Sequence, residues 1–154
     1  MEFLTIKKTE VETNIILLRD IINLFASRIK FNKPWIKSDE KYVNMWIKYA
    51  KECCNETNNL NNKIIIIYNK WLIDKNYRDE ICRKLGVKNL DIINYVGRNS
   101  SFIGQNLEEI KENYIERYKI IDFPKETKQL LNNEEVIRLM KKIFPEIDIT
   151  GFLN

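Results

Sequence analysis

Four consecutive isoleucines, Ile64 to Ile67, constrain this chain more than any other stretch. β-Branched side chains at successive positions put apolar groups on both faces of an extended strand. The run therefore suits a strand covered on both sides, and it is far too short to span a membrane. The Asn-rich stretch Asn55 to Asn62 precedes it as a loop, so a strand is predicted over Lys63 to Tyr68. A second apolar run, Asn14 to Leu18, ends at Arg19-Asp20 and has the same character.

Helical spacing follows each strand. Asp20 is placed to cap a helix carrying Ile21, Leu24, Phe25 and Ile29. After a Pro34-Trp35 turn, Ser38 and Asp39 open a second helix with the stripe Tyr42, Val43, Trp46, Ile47, Ala50, Cys53 and Cys54. Asp74 is placed to cap a third, with Tyr77, Ile81, Cys82 and Leu85 on one side and Gly86 just beyond its end. Strands alternating with helices predict α/β architecture with parallel strands. Met1 to Thr13 is weakly patterned, and its Phe3, Leu4 and Ile6 fit a short strand or part of a helix. Leu90 to Val96 is short and apolar and leads into the loop Gly97 to Phe102. The remainder reads as helical. One stripe is Leu107, Ile110, Tyr114 and Tyr118; another is Val136, Leu139, Met140 and Ile143, ended by Pro145. Two or three strands make a thin sheet, and an uncovered strand is an aggregation-prone edge. The expectation is an incomplete parallel sheet with flanking helices, completed by an additional N-terminal segment or by a second copy of the chain.

The 154 residues suffice for one domain spanning 1–154, without internal repeat or linker. An apolar fraction of 44% with 11% aromatics excludes a disordered chain. The abundance of Ile, Asn and Lys fits a genome-composition bias, so single Asn and Lys residues are discounted as functional signals. The net charge of +4 is spread along the chain rather than gathered in a stripe, which argues against a nucleic-acid binder but leaves room for a local anion site. Three cysteines, two of them adjacent in a helical stretch, do not form a disulfide framework, and small buried residues are their expected role. The chain has no histidine, which removes most zinc sites and the commonest general base. Without a signal peptide or apolar span, a cytoplasmic protein without a metal is expected.

Chemistry is expected beyond the carboxyl ends of the strands, where open α/β sheets bind ligands and a helix N-terminus favours anions. Arg19 stands at such a strand end with a fork suited to phosphate, and Ser27 follows two helical turns on. Equally, Arg19 can pair with a carboxylate, and Ser27 can be a small residue at a helix contact.

The stretch Ile16-Leu17-Leu18-Arg19-Asp20, followed by Asn23-Leu24-Phe25-Ala26-Ser27-Arg28, resembles a motif of the sulfotransferase family. In that motif an Arg ends a strand and a Ser follows eight residues later. The resemblance implies a P-loop NTPase-like fold and a transferase that moves a sulfuryl group from 3′-phosphoadenosine 5′-phosphosulfate (PAPS) to an acceptor hydroxyl or amine. Arg19 and Ser27 would then bind the 3′-phosphate. Ile64 to Tyr68 is similar to the family's strand ending in Tyr-Glu-Asp, which implies Tyr68 near the adenine, although Asn69 and Lys70 replace the acidic pair. Simple packing of a strand-end aromatic fits Tyr68 as well. Lys84-Leu85-Gly86 resembles the end of the family's next helix. The Gly97 to Phe102 loop is similar to the late Arg-Lys-Gly segment that completes the 3′-phosphate site. It implies Arg98 as a cation with Ser100 and Ser101 as hydroxyl donors, against the alternative of a solvated turn.

The likeness runs from about Glu12 to Phe144 and covers the C-terminal portion of the family domain. The family's phosphosulfate loop is rich in Gly, Ser and Thr, whereas Met1 to Leu18 contains no glycine and only three scattered threonines, Thr5, Thr9 and Thr13. The family's catalytic His has no counterpart. No catalytic residue is assigned, and the expectation is a partial domain, a split-gene product or a remnant, that recognises PAPS or 3′,5′-adenosine bisphosphate. The alternative is a non-catalytic interaction module with Trp35, Trp46 and Trp71 as anchors, against the simpler role of these tryptophans in core packing.

Overall fold

The computed structural model of the chain describes residues 4–8, 11–31, 39–88, 109 and 111–153. Within them a small sheet is packed against helices, an α/β arrangement in which helices predominate. The sheet order is β1 (Leu4–Lys8), β2 (Val11–Leu18), β3 (Lys63–Ile67). The expected parallel pair is present: β2 and β3 run in the same direction, with Ile15 opposite Ile64 and Leu18 opposite Ile67. The N-terminal stretch takes the strand alternative and adds a third strand, but it departs from the expected parallel sheet by pairing antiparallel, with Lys8 opposite Val11 and Leu4 opposite Ile15. The two residues left between Lys8 and Val11 allow only antiparallel pairing, so the sheet is mixed. β2 also begins earlier than its apolar run, at Val11, because its polar first half is drawn into the ladder by β1.

The helices are α1 (Ile21–Lys30), α2 (Asp39–Cys53), α3 (Tyr68–Ile73), α4 (Lys75–Leu85), α5 (Lys125–Leu131), α6 (Glu134–Ile143) and α7 (Ile149–Leu153). Leu18, Phe25, Trp46, Leu131, Leu139 and Phe144 belong to the main core, where α1, α2, α5 and α6 meet one face of the sheet. The α2 stripe is as predicted, with Val43, Trp46 and Ala50 buried and Tyr42, Ile47, Cys53 and Cys54 packed on the same core. Caps at Asp20 and Asp74 form as the sequence implies. Gly86 closes α4 at φ 67°, a left-handed conformation that glycine adopts without strain.

Three expectations need correction. The strand predicted through Tyr68 stops at Ile67, and Tyr68 begins α3. This short helix is held from outside, since buried Arg78 donates to the carbonyls of Trp71 (2.9 Å) and Leu72 (3.2 Å) and satisfies its C-terminal end. The single stripe of Tyr114 and Tyr118 is broken by a π turn, Lys111–Ile115, and a 3₁₀ turn, Arg117–Ile120. Tyr114 then packs with Leu72 and Ile115, and Tyr118 packs on the main core. The third concerns β3, which is half-buried along its length rather than covered on both faces. Its backbone is nonetheless partly satisfied: the Tyr77 hydroxyl donates to the carbonyl of Ile65 (3.3 Å) and accepts the N–H of Ile67 (3.0 Å). Alternate residues of a strand present their polar groups to the same edge, so one side chain of α4 occupies the edge that a further strand was expected to take. The Pro34-Trp35 turn, Ser38, the apolar run Leu90 to Val96, Leu107 and Ile110 lie outside the described residues.

The Asn-rich loop between α2 and β3 is stapled by Glu52. Its buried carboxylate accepts from Lys63 Nζ (2.6 Å), Thr57 Oγ1 (2.6 Å) and the N–H groups of Asn59 (3.1 Å) and Leu60 (3.3 Å). Asn55 (φ 56°) and Asn62 (φ 48°) take left-handed conformations that asparagine tolerates better than most residues. Burial, the largest influence, opposes ionisation of Glu52, but the Lys63 ammonium and the three other donors outweigh it and hold the carboxyl at about 2, against an ordinary 4.5.

A depressed carboxyl stabilises the fold fully above its unfolded value, and that contribution disappears as pH falls through the folded one. Urea unfolding should therefore show the wild-type chain losing stability between pH 4.5 and about 2. Glu52→Gln should flatten that slope and cost about 2–3 kcal/mol at neutral pH. Tyr77→Phe should cost about 1–2 kcal/mol by leaving the Ile65 and Ile67 groups unpaired. Light scattering should detect increased self-association of this variant at the bared edge.

Candidate functional site

Beyond the carboxyl ends of β2 and β3 lies a cavity of about 190 Å³, lined among others by Leu17, Arg19, Arg28, Tyr42, Trp46 and Tyr68. The parallel pair creates it. β2 delivers Leu17 and Arg19, β3 hands over to Tyr68, and α1 and α2 form the wall. Leu17 is 41% exposed at this point, an apolar side chain left open to the crevice.

Arg19 is held in three ways. Trp46 Nε1 donates to its backbone carbonyl (2.8 Å), Arg19 Nη2 donates to the carbonyl of Tyr114 (2.6 Å), and the guanidinium lies 5.1 Å from the centre of the Tyr68 ring. Its Nε is buried without a hydrogen-bond partner. Among the described residues no carboxylate lies within ion-pair distance of it. The neighbouring Asp20 is occupied elsewhere, accepting from the N–H (2.7 Å) and Nδ2 (3.2 Å) of Asn23. Burial pushes the Asp20 carboxyl up, and the Asn23 N–H and the Arg19 charge only partly offset it. Burial likewise raises the Tyr68 hydroxyl, against the pull of nearby Arg19 and Arg117.

Of the residues singled out in the sequence, the structure brings Arg19 and Tyr68 together as an arginine over an aromatic face, worth about 0.5–2 kcal/mol. Tyr68 reaches this position from the start of a helix, not from the end of a strand. Ser27 is half-buried on α1 and does not line the crevice, to which α1 contributes Leu24 and Arg28. Arg98, Ser100 and Ser101 lie outside the described residues, as does Trp35. Trp46 is fully buried and serves the core and the Arg19 carbonyl, so it is no surface anchor. Desolvation raises all three cysteine thiols, Cys53 to about 12, which disfavours thiolate chemistry. No metal-binding cluster occurs among the described residues, and no helix among them is long and apolar enough to cross a membrane.

Sequence reading missed three residues. Arg28 stacks face-on over Tyr42, its guanidinium carbon 3.9 Å from the ring centre. Arg117 is buried against the rings of Tyr114 (5.0 Å) and Phe31 (5.8 Å). Asn23 ties the two halves of the site together, since its side chain donates to the carbonyl of Ile115 and accepts from the N–H of Tyr118 (3.1 Å). Those two contacts straddle Glu116 and Arg117, so the polar start of α1 determines where Arg117 sits. An asparagine inside an apolar helical face was the available signal, a buried polar group that must find partners.

Asn23→Ala should cost about 2–4 kcal/mol in urea unfolding, because it leaves the Ile115 carbonyl and the Tyr118 N–H unpaired in the interior. The same variant should increase hydrogen exchange in 111–120 more than in β2.

Compared with the models of known protein families, with curated proteins and with solved structures, the chain matches none.

Proposed function

We propose that the crevice beyond β2 and β3 recognises a phosphate-bearing nucleotide of the 3′-phosphoadenosine type, as the recognition part of a sulfotransferase-like site. The observation that carries this reading is Arg19. Its guanidinium stands at the end of a parallel strand, over the ring of Tyr68 and at the edge of an aromatic-lined cavity, with no ion-pair partner among the described residues. An arginine in that place offers a charge-assisted pair of hydrogen bonds to a phosphate, and Tyr42 and Tyr68 offer apolar surface to a ring. The likeness to the sulfotransferase motif at Arg19 and Tyr68 supports the choice of nucleotide.

The cavity volume sets the scale. About 190 Å³ is below the roughly 300 Å³ at which drug-sized pockets begin, so it admits a ring or a phosphate rather than a whole nucleotide. Binding is accordingly weak, and the reading is confined to recognition. Sulfuryl transfer needs in addition a group to hold the sulfonate and a base for the acceptor, and no residue of the crevice is assigned to either role.

Calorimetry with 3′,5′-adenosine bisphosphate should give a Kd of about 0.1–1 mM. Arg19→Ala should weaken it at least tenfold, about 1.4 kcal/mol. Absence of heat for the wild-type chain at millimolar ligand would reject the nucleotide reading.

A further inference from the structure

The described residues contain a second arginine that the fold buries without giving it a counter-charge. Arg117 is 4% exposed, its Nε has no hydrogen-bond partner, and none of the carboxylates among the described residues lies within ion-pair distance. Its observed neighbours are aromatic rings, those of Tyr114 and Phe31. A buried cation is normally paired, because removal from water carries a cost that a ring face returns only in part.

Arg117 and Arg19 share a neighbour. The carbonyl of Tyr114 accepts from Arg19 Nη2 at 2.6 Å, and the ring of the same residue carries Arg117 at 5.0 Å. Tyr68, beneath Arg19, packs on the cluster that contains Tyr114. Each of the two guanidiniums has a buried Nε without a partner. Burial lowers the affinity of Arg117 for its proton, and the charge of Arg19 lowers it further, as adjacent like charges do. Arg117 is not left there by a slack loop, because Asn23 pins the backbone on either side of it.

We infer that Arg19 and Arg117 form a two-arginine clamp for a tetrahedral oxyanion, a phosphate or sulfate group carried free or as an ester, with the Tyr68 and Tyr114 side chains as its walls. This inference deepens the nucleotide reading and rests on it for the role of Arg19. It adds the second cation and places the anion on the Tyr114 side of Arg19. A dianion between the two forks supplies the charge that both lack and converts their mutual repulsion into shared attraction.

Thermal unfolding of the full chain, in phosphate, in sulfate and in chloride at matched ionic strength, tests the clamp. Phosphate and sulfate should raise the wild-type Tm by a few degrees over chloride. Arg117→Met keeps the length and removes the charge. It should raise the Tm in chloride, by relieving the unpaired cation, and should abolish the rise with phosphate. Arg117→Lys keeps the charge without the fork and should retain less than half of the rise. A lower Tm for Arg117→Met in chloride would make Arg117 a structural ring contact and overturn the clamp. So would an undiminished phosphate shift in either variant. Titration with 3′,5′-adenosine bisphosphate separates the two proposals. Unchanged binding in Arg117→Met rejects the clamp and leaves the nucleotide reading intact. No nucleotide binding by the wild type, beside an Arg117-dependent phosphate shift, rejects the nucleotide and keeps the clamp.

Discussion

The buried pair of Asp20 and Asn23 is the joint on which the rest of the molecule hangs. Asp20 accepts the N–H of Asn23 in the first turn of α1, so the chain leaves β2 and enters a helix with that donor satisfied. Asn23, one turn later, completes the Asp20 carboxylate and reaches across nearly a hundred residues of sequence to the backbone at Ile115 and Tyr118. The interior tolerates this polar pair because nearly every group in it is satisfied, and an unsatisfied member would cost as much as a large core side chain. Burial works against the Asp20 charge, which is a standing penalty the fold bears for holding α1 to the turns that follow.

From that joint the crevice follows geometrically. Arg19 immediately precedes Asp20 and is thereby delivered to the mouth of the parallel pair. Arg117 lies between the two backbone groups that Asn23 holds. One asparagine fastens the segments that bear the two arginines, and both touch Tyr114, Arg19 at its carbonyl and Arg117 at its ring. Trp46, which the core needs for its bulk, also spends its one donor on the Arg19 carbonyl.

The sheet shows how a thin α/β arrangement is protected by other means than more strands. Tyr77 places a hydroxyl between two main-chain groups of β3. Glu52 organises the start of that strand through Lys63 and the asparagine loop. Outside it, Arg138 bridges Glu56 and Glu135, and Lys51 and Lys142 extend the network across α2 and α6. Such exposed pairs contribute little singly, but a connected set fixes the relative position of the two helices.

The parallel strand pair, the caps at Asp20 and Asp74, the left-handed Gly86 and the apolar stripe of α2 were legible from residue pattern alone. They rest on interactions within a few positions, where spacing and side-chain type decide the outcome. What pattern could not decide were partnerships across long sequence separations. Asparagines that composition suggested discounting turn out to hold αL turns and the Asp20 joint, because only the folded chain shows which polar groups are taken out of water. The antiparallel pairing of β1, the end of β3 at Ile67, the broken winding between Tyr114 and Tyr118 and the common contact of Arg19 and Arg117 with Tyr114 are all of this kind. Each trades a local preference for a tertiary hydrogen bond or ring contact. The sequence by itself determined that Arg19 would stand at the end of a parallel strand, and only the tertiary structure decided that Arg117 would share Tyr114 with it, because that contact depends on hydrogen bonds between segments far apart in the chain.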